Sequence, residues 1–246
     1  MKLGLIGGGF KPFTTGHFTL LSKAMADSDV VVVFYGLAGR KKGSGYNYSR
    51  EMSMEIYEIV KTAIEREYAG RAHVVLGVPT PIVKTFQAIE EVKDGQATHG
   101  VLSSVGINPA SVGEVAFFSS PEDLMVLNRH LGTPKEEKYF GDLYQTGQLK
   151  FIGVNSAGDD ITDILDAVRP AYPDSSDEDL TDLVRMRGSQ FRALISARDE
   201  EKISRYLPNF LNDAEKKKII DVLLQGLNTS ENLFRSYVQA LLKENQ

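Results

Sequence analysis

Apolar positions along this chain follow two rhythms. Leu3 to Ile6 and Val30 to Tyr35 are short, unbroken runs, the second rich in β-branched and aromatic residues. Runs of that kind suit strands covered on both faces of a parallel sheet. Between them, from Gly16 onward, Phe18, Leu20, Leu21, Ala24 and Met25 recur at helical spacing. Strand, glycine loop, helix and strand make one right-handed βαβ unit. Ser49 is placed to cap a helix carrying Met52, Ile56, Ile59, Val60 and Ala63 on one face. His73 to Leu76 reads as a strand, and Pro81 opens a helix with Ile82, Val83, Phe86 and Ile89 facing inward. Gly100 to Val105, Val115 to Phe118 and Phe151 to Val154 read as strands, and Pro121 to Leu131 as a helix. The alternation predicts an α/β chain: a Rossmann-like three-layer fold on a mostly parallel sheet of five or six strands, plus C-terminal helices.

The later chain is helical in pattern. The acidic stretch Pro173 to Asp179 reads as an exposed loop leading into a helix. Ile219, Ile220, Leu223 and Leu224 form one apolar stripe; Leu233, Phe234, Tyr237, Val238, Leu241 and Leu242 form another, with Asn228-Thr229-Ser230 as the break. A main domain over 1–208 and a helical extension over 209–246 are expected. The extension must bury its stripes on the main domain, within itself, or on a second copy in a homo-oligomer.

Composition narrows the field. Of 246 residues, 42% are apolar and 25% charged, as in ordinary globular proteins. The net charge of -5 argues against a nucleic-acid partner, whose binding draws on clustered Lys and Arg. Without cysteine there is no disulfide, thiolate metal site or cysteine nucleophile. No apolar run reaches the roughly 18 residues of a membrane span, and the short apolar start is no signal-peptide core. A cytoplasmic location is expected.

The glycine loop after the first run carries the chemistry. A dinucleotide fingerprint needs glycine where this chain has Pro12, and no Gly-Lys-Ser/Thr triplet comes after it as a P-loop requires. The run Gly7-Gly8-Gly9-Phe10-Lys11-Pro12-Phe13-Thr14-Thr15-Gly16-His17 instead resembles the first signature of the nucleotidylyltransferase superfamily. The likeness is closest to versions associated with bacteriophage genomes, which would put the protein in a host cytoplasm. Gly8 and Gly9 let backbone N–H groups approach phosphate. Gly16 lets the ligand sit against the positive end of the adjoining helix. The resemblance implies that Phe10 belongs to the same nucleotide-binding loop, and that His17, Thr14 and Lys11 stabilise the triphosphate as the α-phosphate is attacked. Many members carry Asp or Gln at the position of Lys11.

Met186-Arg187-Gly188-Ser189-Gln190-Phe191-Arg192 resembles the second signature, Ile-Ser-Ser/Gly-Thr-x-x-Arg. Met186 stands in place of Ile and Arg187 in place of Ser. Gly188 and Ser189 match the loop and its helix cap, and Arg192 the phosphate-binding arginine. Arg187 is either a further phosphate contact or the mark of an altered loop. The segments Ala193-Leu194-Ile195, Asp199-Glu200-Glu201 and Tyr206-Leu207-Pro208 also resemble the family. Arg40, Lys41 and Lys42, in a basic glycine loop, and Arg50 are candidates for the acceptor's phosphate. Ser119-Ser120, after a strand, is a candidate for the base or ribose. His73, His99 and His130 are scattered singly and show no metal-ligand spacing. The only metal expected is Mg²⁺ carried by the triphosphate.

The expected reaction is transfer of a nucleotidyl group from ATP or CTP to a small anionic acceptor. Nicotinamide mononucleotide would make the protein an adenylyltransferase; an alcohol or sugar phosphate would make it a cytidylyltransferase. A different class also remains, a binding or assembly module that has kept the fold and lost catalysis.

Overall fold

The computed structural model describes residues 1–10, 12–37, 48–129, 131–158 and 160–227. Lys11, Arg40, Lys41, Lys42, His130, the break at 228–230 and the second tail stripe lie outside them. Five strands form one sheet: β1 (Lys2–Gly8), β2 (Val30–Tyr35), β3 (Ala72–Leu76), β4 (Glu114–Ser119) and β5 (Leu149–Gly153). Every pairing is parallel, and the order is β3-β2-β1-β4-β5. The five-or-six-stranded expectation resolves to five among the described residues.

Parallel strands need crossover connections, and the helices supply them. Those between strands are α1 (Thr15–Asp27), α2 (Arg50–Glu67), α3 (Pro81–Asp94), α4 (Pro121–Asn128) and α5 (Pro134–Tyr139); after β5 come α6 (Thr162–Val168), α7 (Asp177–Arg185), α8 (Gly188–Ala197), α9 (Glu200–Arg205) and α10 (213–227). Ser49 caps α2 as expected, its hydroxyl accepting from the Met52 N–H at 3.2 Å.

The strand alternation sorts side chains onto two cores. Val31, Val33 and Tyr35 face one side with Ala116 and Phe118; Leu3, Leu5, Val32 and Phe34 face the other with Val115 and Phe117. The first core is covered by α1, α2 and the helices from α6 onward, the second by α3 to α5. The result is a Rossmann-like three-layer fold. Ile219, Ile220 and Leu223 of α10 are buried in the first core with Phe18, Leu21 and Phe191.

One expected strand is absent. Gly100 to Val105 forms turns and a short 3₁₀ helix. Val101 and Leu102 are buried, but their N–H groups go to the carboxylate of Glu91 at 3.0 and 2.8 Å, with His99 N–H adding a third bond at 2.8 Å. Donors spent on Glu91 are not free for a sheet ladder. The helix opening at Pro121 stops at Asn128, short of Leu131.

Candidate functional site

From β1 the chain runs outward to β2 and β3, then crosses back to β4 on the other side of β1. Between β1 and β4 the winding therefore reverses, and open α/β sheets bind ligands outside the carboxyl ends of strands at such a point. A cleft of about 460 Å³ opens there. Its walls come from the β1–α1 loop, the β4–α4 junction, the segment after β5 and the entry to α8.

His17 is the third residue of α1. Its Nδ1 accepts the Thr14 backbone N–H at 3.1 Å and lies 3.0 Å from Thr14 Oγ1. This reproduces a capping box with imidazole in the place usually held by Glu or Gln. A nitrogen that accepts an N–H carries no proton, so the neutral ring holds its proton on Nε2. Phe10 meets the imidazole edge-on at 5.1 Å between centroids, and Phe13 lies at 5.7 Å. Burial lowers the pKa of His17 from 6.5 to about 4. The positive end of α1 acts in the same direction. His17 is therefore neutral at pH 7 and a donor through Nε2.

Thr14 is only 1% exposed, and its hydroxyl is engaged with His17. Thr15 turns away from the cleft: its N–H and its hydroxyl both donate to the Tyr206 carbonyl, at 2.9 and 2.7 Å. The N–H groups of His17 and Phe18 go to the Thr14 carbonyl. Among the described residues the Gly16 N–H has no protein acceptor, and Gly16 lines the cleft.

The glycines have separate reasons. A Cβ on Gly8 would lie 2.5 Å from the Phe10 ring, which is buried under the loop against Tyr35 at 5.4 Å. Gly9 is exposed, its backbone open to the cleft. A Cβ on Gly16 would lie 2.6 Å from the Met186 carbonyl oxygen. Gly16 was expected to make room for the ligand; the chain of the second signature packs there as well.

At that second segment the cap expected on Gly188 and Ser189 falls earlier. Arg187 is the N-cap, with extended backbone, and its N–H donates to Gln190 Oε1 at 2.9 Å. Ser189 is exposed inside the first turn, so its hydroxyl does not cap the helix. Arg192 folds back over that turn, its Nη1 3.2 Å from where a Gly188 Cβ would sit. Met186, Arg187 and Gly188 all line the cleft.

Ser119, 2% exposed, ends β4 at the cleft, and its carbonyl accepts the Val154 N–H at 2.9 Å. Ser120, expected with Ser119, also lines the cleft, whereas sequence reasoning missed the two acidic residues just beyond it. Ser120 Oγ accepts the Asp123 N–H at 3.2 Å, and Glu122 and Asp123 stand on the cleft wall at the start of α4. The cap-then-proline signal in Ser120-Pro121 was readable, but which strands it lies between was not. Arg50 is not brought in; it is exposed at the start of α2 beside Glu51, Met54, Glu55 and Glu58. His99 pairs with Glu90, Nε2 to Oε2, at 2.9 Å.

Among the described residues no three His, Asp or Glu side chains converge as a metal cage. Glu122 and Asp123 are hard oxygen donors of the sort that share Mg²⁺ with phosphate oxygens. No described helix is long and apolar enough to cross a membrane.

No protein-family model and no curated protein matches the sequence. Among solved structures, the chain is similar to Thermotoga maritima TmcAL bound with alpha-thio ATP, with 14% identity and a TM-score of 0.32. The match covers 93% of this chain and 56% of that one, so the chain spans little more than half its length. Nothing about substrate or reaction transfers at that similarity.

Proposed function

We propose that the cleft binds a nucleoside triphosphate, ATP or CTP, and that the protein transfers its nucleotidyl group to a phosphate-bearing acceptor. An acceptor oxygen attacks the α-phosphorus, the bond to the bridging oxygen breaks, and pyrophosphate leaves with the electron pair. The observation that carries this reading is a convergence. Gly8, Gly9, Phe10, Thr14, Gly16 and His17 of the first run line one cleft with Met186–Gly188, far away in sequence, and the two segments meet at Gly16. Two helix N-termini, those of α1 and α8, abut the same space, and both favour anions.

Each residue has a task in that reaction. The exposed Gly9 backbone and the unpaired Gly16 N–H are donors for phosphate oxygens. His17 donates through Nε2 to charge developing at the α-phosphate. Mg²⁺ arriving with the nucleotide would offset charge on the departing pyrophosphate. No covalent enzyme intermediate is required, and catalysis is positioning plus charge stabilisation. With nicotinamide mononucleotide as acceptor the product is a dinucleotide; with an alcohol or sugar phosphate it is a nucleoside-diphosphate conjugate. Lys11, Arg40, Lys41 and Lys42 remain candidates for those anionic groups, and Arg192 for the β- and γ-phosphates.

One observation favours the non-catalytic alternative: Ser189 is exposed and does not cap α8. Calorimetry with ATP and CTP in Mg²⁺, together with pyrophosphate release across a panel of phosphate-bearing acceptors, separates the readings. Triphosphate binding with release for one acceptor is expected, lost in His17→Ala. Binding with no release for any acceptor favours a binding module, and neither binding nor release removes the nucleotide reading altogether.

A further inference from the structure

The cleft carries an uneven charge. Its α4 wall presents Glu122 and Asp123. His17, on the α1 wall, is uncharged at neutral pH because burial lowers its pKa to about 4. Among the described residues that line the cleft, the one permanent cation is Arg187. Its guanidinium makes no ion pair with the described residues, and the residue is exposed. Arg66, Arg169 and Arg205, by contrast, all pair with carboxylates on the surface.

The backbone explains where that cation stands. The Met186 carbonyl packs on Gly16, so Arg187 and His17 each come directly after one half of a single contact. Gln190 holds the Arg187 N–H, and the extended φ of −98° and ψ of 150° set the residue at the mouth of α8, not within its first turn. A small polar residue at this point, as in the signature the segment resembles, would leave the described lining without a permanent cation.

We infer that Arg187 is a nucleotide-binding residue that holds the β- and γ-phosphates of the bound triphosphate. This rests on the nucleotide reading above and deepens it. Arg187 also sets the direction of the ligand. The two carboxylates on the α4 wall offer phosphate no direct hydrogen-bond donor, so the direct phosphate contacts fall to the α1–α8 wall. A planar guanidinium with several donors suits adjacent phosphate oxygens better than a single neutral imidazole does.

The test is calorimetry on the full chain with ATP, CTP, the matching monophosphates and inorganic tripolyphosphate, for wild type, Arg187→Ala and Arg187→Lys. Thermal unfolding checks that the variants fold. The expected result in Arg187→Ala is about a tenfold or greater loss of affinity for triphosphate and tripolyphosphate, with the monophosphate changed by less than about threefold. Arg187→Lys restores part of the loss, as a point charge without the planar fork. Equal losses for tri- and monophosphate, or no loss in a variant of a wild type that binds, overturn the role of Arg187 and leave the nucleotide reading standing. A wild type that binds no triphosphate overturns both.

Discussion

The state of His17 makes a stability prediction that needs no knowledge of substrate. The perturbation is His17→Gln. Glutamine is a standard residue at the third position of a capping box, so its side-chain oxygen can accept the Thr14 N–H that Nδ1 accepts now. It keeps the cap and removes the titration. In the native protein the pKa of His17 is lowered by burial to about 4, against 6.5 for a free imidazole. Above pH 6.5 the ring is neutral in both folded and unfolded chains and contributes no pH dependence. As pH falls from there, the unfolded chain takes up a proton that the native state does not, and native stability declines. The slope approaches about 1.4 kcal/mol per pH unit, and the loss levels off below pH 4. The whole displacement corresponds to roughly 3 kcal/mol, a ceiling because the ring keeps some contact with the cleft. Urea unfolding monitored by circular dichroism at half-unit steps from pH 7.5 to 4 measures it. Wild type is expected to lose stability relative to His17→Gln between pH 6.5 and 4, with the curves parallel above. Parallel curves over the whole range would refute the neutral, Nε2-protonated assignment.

Three other substitutions test specific contacts. Gly16→Ala places a methyl 2.6 Å from the Met186 carbonyl oxygen, and such overpacking costs about 1–3 kcal/mol; its thermal midpoint should fall, while Gly113→Ala, with nothing within 4 Å, serves as the quiet comparison. Glu91→Gln replaces a fully buried carboxylate that accepts three backbone N–H groups, and the loss of charge-assisted bonds should remove about 2–3 kcal/mol in chemical denaturation. Thr15→Val deletes the buried hydroxyl that donates to the Tyr206 carbonyl at 2.7 Å; about 1–2 kcal/mol is expected, and an unchanged denaturation midpoint would show the backbone N–H bond to be sufficient alone.

The layered sheet was legible because its signals are local. Val30 to Tyr35 has no polar position to place outward, and only a strand covered on both faces accommodates it. Ser49 caps the helix its position announces, and Pro81 opens another at its first residue. Gly100 to Val105 misled for a physical reason. Its apolar residues are buried as the pattern says, but a short apolar run does not state its backbone conformation, and the partner that decides it is Glu91. The first run was readable as a glycine loop between a buried strand and a helix, whereas the packing reason for Gly16 was not, since its neighbour is Met186. The displaced cap at Arg187 was hidden likewise, because what fixes it is the Arg187 N–H donating to the Gln190 side chain three residues on. Glu122 and Asp123 became visible only once the strand order put β4 beside β1.

The entry to α1 shows why the site takes this form. A helix starts with backbone donors that have no partner inside it, and a buried start must dispose of each one. Here Thr15 N–H is taken by Tyr206, and the N–H groups of His17 and Phe18 by the Thr14 carbonyl. The Gly16 N–H is left over among the described residues, at the one position where a side chain is barred by the Met186 carbonyl. The donor left unpaired therefore faces the cleft without a Cβ to shield it, beside an imidazole whose acceptor nitrogen is already used. An orphan N–H beside a neutral donor, at the positive end of a helix, disfavours a cation and suits an acceptor, an anion among them. The same Met186–Gly16 contact brings Arg187 to the same wall of the cleft. Packing between distant parts of the chain thus both closes the core and leaves unmet the donors that an anionic ligand would complete.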